Sequence, residues 1–527
     1  MLRLDQLHLT PEQPESALKS KAARLLRISP EEIEELQILR RAVDAREQLL
    51  LVYTIAVRVK REAAVLRRCR DRRVSLYHPQ PYHLPAVQSV PDLPPVVVGA
   101  GPAGLFAALL LAHAGLRPIL LERGKCAEER SEDVEKFWQT GFLNTESNVQ
   151  FGEGGAGAFS DGKLNTGTKD PRHRWILEQL VSCGAPETIL TDAKPHVGTD
   201  YLHIVLKNLR RRLQELGCDI RFSHRLEQVH HENGVLTGLT VRNDAGLIHI
   251  PCQQLVLALG HSARDTFQML WDCGVTMEAK PFAVGVRIEH RQSDVDAVQY
   301  KKFAGHPCLG AATYKLSCHL PNGRSAFSFC VCPGGQVVAA ASEEGRVVTN
   351  GMSEYARDQE NINGALLVNV TPADFPDDHP LSGITFQRHL EEAAYAPGGG
   401  YLAPSQRVED FLAHRPSTGP GTVLPSYRPG VVWTDLHTCL PAFICETLEQ
   451  ALPMLDRKLP GYAAPDAVLT AVESRSSSPV RIARDHDYQS NIRGVYPCGE
   501  GAGYAGGILS AAADGMRCAE HILGGIL

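Results

Sequence analysis

The chain of 527 residues is long enough for two to four domains of ordinary size, and its 43% hydrophobic residues can fill their cores. A net charge of -6 and a pI of about 6.4 argue against nucleic acid as the main partner. No apolar run reaches the roughly 18–20 residues that span a bilayer, and the opening MLRLDQLHLTPEQPE lacks a basic segment followed by an apolar one. We therefore expect a cytoplasmic protein without a membrane partner, in which the fourteen cysteines are reduced.

Residues 1–78 predict a small N-terminal α/β domain. Its strands are predicted in LRLDQLHL and QLLLVYTIAVRV, and its helices in SALKSKAARLLR and SPEEIEELQILRRAVDAR. Ser29 and Glu32 have the spacing of a capping box at the start of the second helix. The basic stretch RVKREAAVLRRCRDRR is interpreted as a solvated helix face, with a docking site for an acidic partner or RNA as the alternative. Residues 79–94 are rich in proline and predict a semi-rigid linker.

A glycine fingerprint follows the linker. An apolar strand leads into the spacing G-x-G-x-x-G at Gly99, Gly101 and Gly104, and an apolar helix begins there. Such a turn lets the backbone and the helix N-terminus approach a pyrophosphate. Glu122 ends the next strand, where its carboxylate can accept hydrogen bonds from ribose hydroxyls and disfavours a 2′-phosphate. The nucleotide is expected to contact Gly99, Gly101, Pro102, Ala103, Gly104, Glu122 and Arg123.

The order of elements after this unit favours FAD over NAD. A helix at 201–217, a three-strand meander and a strand ending in LVLALGH are typical of two-domain FAD proteins. NAD dehydrogenases usually continue with a second βαβ half. NAD in the same site stays the alternative, because Glu122 permits it.

A terminal fingerprint, GEGAGYAGG, follows a strand and precedes the last helix, and no strand remains to complete another nucleotide unit. We therefore expect it to close the first site, with the N-terminus of the last helix directed at the flavin edge that gains negative charge on reduction. Residues 95–279 and 471–527 then form a Rossmann-type FAD-binding domain, and residues 280–470 an inserted β-rich substrate domain. Further cofactor contacts are expected at Gly155, Ser160, Gly260, Gly499, Glu500, Gly506, Gly507 and Ile508.

Three residues are the candidates for catalysis. Lys163 follows the glycine-rich FGEGGAGAFSDGKL, whose backbone can form an anion-binding nest; a surface lysine is the alternative. Arg475 lies in a serine-rich loop, where it can hold an anionic substrate or the reduced flavin, or form a loop salt bridge. His196 in KPHVGTD can act as an acid or base. Cys330 and Cys332 are interpreted as buried strand residues, with a functional thiol at Cys332 as the alternative, and no metal site is expected.

Long strings of the sequence resemble one known family. VESRSSSPVRIARD, VQFGEGGAGAFSDGKL, KPFAVGVRIEH and ARDQENINGALLVNV are similar to the uncharacterised bacterial and plastid FAD-dependent dehydrogenases. That family is a distant relative of the aminoacetone oxidase-like two-domain flavoproteins. The resemblance covers residues 95–527 strongly and implies FAD binding and redox chemistry, without naming a substrate.

The leading hypothesis is an FAD-dependent oxidoreductase. Hydride or electrons would pass between flavin N5 and a small organic substrate, with NAD(P)H or a protein as a transient redox partner. The alternative is a flavin-containing module that binds RNA or protein without turnover, suggested by the basic stretch and the additional N-terminal domain.

Overall fold

The computed structural model describes residues 1–88 and 91–524. The N-terminal region contains the elements β1 (Leu2–Leu9), α1 (Ala17–Leu26), β2 (Ile33–Asp44), β3 (Leu50–Val59), α2 (Glu62–Arg68) and β4 (Val74–Leu76). The four strands form an antiparallel sheet in the order β2-β3-β1-β4. Its apolar side chains, with those of α1, form a hydrophobic cluster of their own.

The helix predicted after Ser29 is wrong. The capping box of Ser29 and Glu32 is present, but it closes one 3-10 turn over Pro30–Glu32. The chain then extends into β2, which pairs with β3 from Ile33 to Asp44. Because β3 is a mostly buried strand with an open edge, the gain from sheet pairing outweighs the helix propensity of these glutamates and arginines.

The region from residue 95 to residue 279 alternates strands and helices and contains the first two glycine-rich turns. Its elements are β5 (Val96–Val98), α3 (Pro102–His113), β6 (Ile119–Leu121), α4 (Ala127–Thr140), α5 (Arg172–Ser182), α6 (Thr199–Glu215), β7 (Asp219–Arg221), β8 (Arg225–Glu232), β9 (Val235–Asn243), β10 (Gly246–Pro251), β11 (Leu255–Leu257), α7 (Arg264–Asp272) and β12 (Met277–Ala279). Strands β8 to β10 form an antiparallel meander between β7 and β11.

The next region is built on one large sheet. Its elements are β13 (Phe282–Arg291), α8 (Gln292–Tyr300), β14 (Ser317–His319), β15 (Ser325–Cys332), β16 (Gln336–Ala339), β17 (Thr349–Met352), β18 (Asn361–Val370), α9 (Ser382–Tyr395), β19 (Ala403–Arg407), α10 (Val408–Leu412), β20 (Val431–Trp433), α11 (Ala442–Asp456) and β21 (Val468–Glu473). Seven of these strands form a sheet in the order β14-β15-β18-β13-β21-β19-β20. The expected return of the chain at residue 471 falls inside β21.

The last elements, β22 (Val480–Ile482), β23 (Val495–Pro497) and α12 (Ile508–Ile522), return to the nucleotide-binding region. Strand β23 joins a five-stranded parallel sheet in the order β23-β11-β5-β6-β7. The fold is therefore mixed α/β, with a Rossmann-type sheet and a β-rich region inserted between β11 and β23. None of the helices in the described part of the chain is long and apolar enough to cross a membrane.

Helix α12 packs directly on α3. A Cβ atom at Gly515 would lie 2.0 Å from the carbonyl oxygen of Ala103, so the two helix backbones are in contact. This contact brings the N-terminus of the last helix to the same side of the sheet as the first fingerprint.

Candidate functional site

A cavity of about 400 Å³ opens where the strands of the parallel sheet end, facing the seven-stranded sheet. Ligands bind at this edge of open α/β sheets, outside the carboxyl ends of the strands. Most of the expected cofactor contacts line the cavity: Gly99, Gly101, Pro102, Ala103, Glu122, Arg123, Gly155, Ser160, Gly260, Glu500, Gly506, Gly507 and Ile508. The two ends of the nucleotide-binding region, which lie some four hundred residues apart in sequence, therefore face one space.

Two expected contacts have structural roles beside the cavity. A Cβ atom at Gly104 would lie 1.8 Å from the carbonyl oxygen of Gly99, so Gly104 lets α3 approach the turn. The backbone N–H of Gly499 donates to the Asp514 carboxylate at 2.9 Å and ties the end of β23 to α12. Both residues shape the wall without lining it.

The first glycine turn has the shape of a phosphate cradle. Gly99 has a φ of +102°, and a Cβ atom there would lie 2.4 Å from the carbonyl oxygen of Ala258. Gly101 caps α3 with its backbone alone, and no side chain accepts from the first turn of that helix. The free N–H groups of this turn therefore point to the cavity, where they can bind an anion.

Glu122 joins this turn to the second glycine segment. Its carboxylate is buried and accepts hydrogen bonds from the backbone N–H groups of Ala100 at 2.8 Å, Gly124 at 2.9 Å and Gly152 at 2.9 Å. The carboxylate also lines the cavity. One acid thus orders two loops and remains available as a further acceptor, because each carboxylate oxygen can accept two hydrogen bonds.

Arg123 is fixed beside Glu122 by ion pairs. Its guanidinium contacts Asp265 at 2.8 Å and Glu146 at 3.0 Å, and its Cζ atom lies 4.0 Å from the ring centre of Phe151. Bidentate pairing with carboxylates restricts the side chain to one orientation. This end of the cavity is therefore rigid.

The C-terminal segment contributes an acid and a second open helix terminus. Burial raises the pKa of Glu500 to about 7, and its Oε1 atom lies 3.9 Å from Nε2 of His261. Helix α12 begins after Gly507 without a side-chain cap, and its first residue Ile508 lines the cavity. Two helix N-termini, of α3 and α12, therefore face the same space.

His261 is the most informative unsatisfied group in this wall. Burial, and then the charges of Arg475 and Arg264, lower its pKa to about 3, so the imidazole is neutral. Its Nδ1 atom is buried and has no hydrogen-bond partner among the residues that the structure describes. His261 also lines the cavity, and a buried polar atom without a partner beside a cavity calls for an explanation such as a ligand.

Arg475 is held in a buried network of charges. Its Nε and Nη2 atoms lie 2.9 Å from the two carboxylate oxygens of Glu391, and Nη1 donates to the Ser342 hydroxyl at 2.6 Å. Arg264 at the start of α7 approaches the same carboxylate at 2.7 Å and Glu343 at 2.5 Å. Burial alone would raise the pKa of the Glu391 carboxyl, but the charges of Arg264 and Arg475 hold it well below its usual value.

This network connects the nucleotide-binding region to the inserted region. Arg475 lines the cavity and Arg264 begins α7, whereas Glu391 is carried by α9 of the β-rich region. Arg475 was a candidate from the sequence, but Glu391 was not, because nothing in the sequence near Arg475 indicates an acid 84 residues away.

Lys163 and His196 are neighbours, but only Lys163 lines the cavity. Lys163 Nζ lies 2.7 Å from Asp161, which also binds Arg357. A backbone bridge pairs Lys163 with His196, whose Nε2 atom lies 3.1 Å from the carbonyl oxygen of Tyr355. The ring of His196 stacks on Tyr355 behind the cavity wall.

A group of potential metal ligands lies elsewhere, at His414, His437 and Glu449. His437 contacts Asp435 through Nδ1 and Glu449 through Nε2, at 2.6 Å each. Burial would lower the pKa of His437, but these two hydrogen bonds raise it. The geometry therefore fits an imidazolium ion bridging two carboxylates.

We expect the stabilisation from His437 to depend on pH. Because its pKa is raised on folding, the contribution is fully present below the pKa of the unfolded chain and is lost as the pH rises through the folded value. The difference in free energy of unfolding between wild type and His437→Gln should be larger at about pH 6 than at about pH 9. His486→Gln is the control, because that side chain is 90% exposed. An equal difference at both pH values would contradict the bridged imidazolium.

Comparison with known proteins identifies the class. Residues 92–140 match a model of the FAD binding domain, and residues 281–476 match a model described as FAD-dependent protein, C-terminal domain-like. Residues 1–60 match a domain of unknown function, DUF8436. The chain is thus an FAD-dependent flavoprotein.

A relative from Clostridium beijerinckii, described as an uncharacterized protein, is 46% identical over 99% of this chain and 98% of its own length. The chain belongs to the same family as this relative. The expected FAD-dependent family is confirmed.

Several solved structures are similar to this chain at low sequence identity. The flavin-dependent brominase Bmp2 has 12% identity and a TM-score of 0.37, over 82% of this chain and 80% of its own. A 3-ketosteroid-delta4-(5alpha)-dehydrogenase from Rhodococcus jostii has 12% identity and a TM-score of 0.34, over 84% of this chain and 99% of its own. A flavoprotein/dehydrogenase from Cytophaga hutchinsonii has 11% identity and a TM-score of 0.34, over 82% of this chain and 79% of its own.

Proposed function

We propose that the protein is an oxidoreductase that uses one FAD to transfer hydride or electrons to or from a small organic substrate. The observation that carries the proposal is the shared cavity, lined by the first glycine turn, by the N-terminus of α12 and by the β-rich region. A dinucleotide would bind at the first glycine turn. A substrate placed against the flavin would contact the β-rich region. The kinship with aminoacetone oxidase-like enzymes stays a prediction.

The residues of the cavity fit FAD in three ways. The open N-terminus of α3 suits the pyrophosphate, and Glu122 suits the hydroxyls of a ribose. The open N-terminus of α12 suits the flavin edge that becomes negative on reduction, an interaction of about 0.3–1 kcal/mol. We assign the unsatisfied Nδ1 atom of His261 to the cofactor or to the substrate.

The bound flavin would supply the redox chemistry, while the protein positions the groups around it. Lys163 is the charged group at the cavity wall that we propose to bind an anionic substrate group. Arg475 is already engaged by Glu391, so we propose that it is a positioning residue that fixes the wall. We propose the same for His196, which pairs with the backbone of Lys163.

NADH or NADPH is the proposed electron donor. Within residues 1–88 and 91–524 the five-stranded sheet is the one fully parallel sheet, so a nicotinamide would have to bind transiently at the substrate side of the cavity. The described part of the chain contains no second nucleotide-binding fold that could hold the nicotinamide nucleotide.

We expect the purified protein to absorb at about 450 nm, the signature of bound oxidised flavin, with one FAD for each chain. Anaerobic addition of NADH or NADPH should bleach this band. The Lys163→Met variant should retain the band and lose turnover, because Lys163 lies at the wall without closing the glycine turn. A colourless protein that does not bind added FAD would refute the proposal.

A module without turnover is the second candidate. The observation in its favour is a basic groove on the N-terminal region, lined by Lys21, Arg24, Arg27, Arg68, Arg70 and Arg73. The same anaerobic experiment separates the two. Flavin that stays oxidised with every donor and is reduced only by dithionite would favour the module over the enzyme.

A further inference from the structure

Two cysteines lie together where β15 reaches the cavity. The pairing of β15 with β18 is shifted by a bulge between Phe329 and Cys332. Cys330, inside the bulge, has a φ of +43°, in the left-handed region that non-glycine residues seldom adopt. This conformation places Cys330 in the cavity wall, while Cys332 is fully buried behind it. Local backbone strain of this kind is concentrated at functional sites.

The spacing of the two cysteines along the chain permits a disulfide. Chain geometry limits the Cα atoms of residues two apart to about 7 Å, and the bulge shortens that separation further. A disulfide needs Cα atoms about 4.4–6.8 Å apart, so the pair can be joined with little movement of the backbone. The Cys332 thiol lies 3.3 Å from the Cys330 carbonyl oxygen.

Positive charge surrounds the inner sulfur. The buried guanidinium of Arg287 lies 3.8 Å from Cys332 Sγ and donates to the Cys330 carbonyl at 3.1 Å. Nη2 also donates to the side-chain oxygen of Asn363, whereas Nε and Nη1 have no hydrogen-bond partner in the described part of the chain. The nearest carboxylate oxygen, of Glu473, is 3.6 Å away, and a buried cation without a close carboxylate favours an anion beside it.

The titration of the pair agrees with this geometry. A hydrogen bond from Cys330, and then the charges of Lys163 and Arg287, lower the pKa of Cys332 to about 6 although burial opposes the shift. The same hydrogen bond and burial raise the pKa of Cys330. These shifts favour a thiolate at Cys332 over one at Cys330. Lowered thiol pKa values in positive surroundings are a property of reactive cysteines.

We propose that Cys330 and Cys332 form a redox-active pair that exchanges two electrons with the flavin in the cavity. The inference rests on the proposed function, because it needs that flavin. The Cys330–Cys332 disulfide accepts two electrons and one proton from the fully reduced, anionic flavin. The S–S bond breaks, Cys330 becomes the thiol, Cys332 becomes the thiolate, and the flavin returns to its oxidised form. Arg287 and Lys163 stabilise the thiolate that the step produces.

The test counts electrons in the air-oxidised, FAD-loaded protein. Anaerobic titration with dithionite should consume four electrons for each chain in the wild type, two for the flavin and two for the disulfide. The variants Cys330→Ser and Cys332→Ser should consume two while retaining their flavin. Cys318→Ser, a buried cysteine on the neighbouring strand β14, is the matched control and should consume four.

Mass spectrometry of the wild type gives a second measurement that needs no variant to fold. The peptide that contains both cysteines should resist alkylation after air oxidation and take up two alkyl groups after reduction. Flavin-loaded protein that consumes two electrons, with both thiols open to alkylation throughout, would overturn the pair and leave the proposed function intact. Protein that holds no flavin would instead refute the proposed function.

Discussion

The Glu391→Ala variant is expected to lose about 3–5 kcal/mol of folding free energy, because it leaves two buried guanidinium groups without their shared carboxylate. The side chains of Arg264, Glu391 and Arg475 are at most 3% exposed. Neither arginine can lose its charge. Arg264 would keep only its ion pair with Glu343, and the carboxylate left nearest to Arg475 would be that of Glu343, 4.0 Å away. Chemical denaturation of wild type and variant at neutral pH measures the loss.

The adjacent residue on the same helix provides the control. Glu392 pairs with Arg346 at 2.5 Å, but its side chain is 48% exposed. Exposed pairs contribute about 0–1 kcal/mol, so Glu392→Ala should change the stability little. FAD affinity should also fall in Glu391→Ala and not in Glu392→Ala, because Arg475 forms part of the cavity wall. Equal stabilities of the two variants would show that the buried network is not the connection between the two regions.

The Gly515→Ala variant should be less stable than the wild type and should lose most of its FAD. At an exposed helix position, replacing glycine by alanine stabilises the protein by about 1 kcal/mol. A loss of stability at position 515 would therefore itself indicate a steric clash. Here the new methyl group would lie 2.0 Å from the carbonyl oxygen of Ala103. This is a backbone atom, which cannot move without distorting its helix. Overpacking costs about 1–3 kcal/mol and would separate the two helix N-termini that face the cavity.

Flavin content of the purified variant, with thermal unfolding, measures both effects. Gly310→Ala is the control, because nothing lies within 4 Å of a Cβ atom at that position. Its flavin content should equal that of the wild type. A Gly515→Ala protein that is more stable than the wild type and fully loaded with FAD would show that the contact between α12 and α3 does not shape the site.

The nucleotide-binding fold was predictable because its signals are local. A strand, a glycine turn and a helix stand next to one another at β5 and α3 and again at β23 and α12. The predicted mixed α/β class with a Rossmann-type sheet is confirmed. The helix predicted in SPEEIEELQILRRAVDAR is wrong because a local cap at Ser29 could not indicate the partner strand β3.

The candidate site was less predictable than the fold, because its decisive contacts are distant in sequence. Arg264 and Glu391 are separated by 127 residues, and Arg287 and Cys332 by 45. The bulge that turns Cys330 to the cavity depends on its pairing with β18, so C-x-C in the sequence looks like an ordinary buried strand. Composition and spacing show which residue types are present, whereas the folded sheets determine which of these residues become neighbours.

A crystal structure of the protein with FAD tests the central claim most directly. We predict one FAD molecule, with its pyrophosphate at the backbone of Gly101 and its ring system at Gly507 and Ile508. Both contacts should be made within the cavity that these residues already share. A bound nucleotide that contacts one of these two segments and leaves the other free would contradict the account.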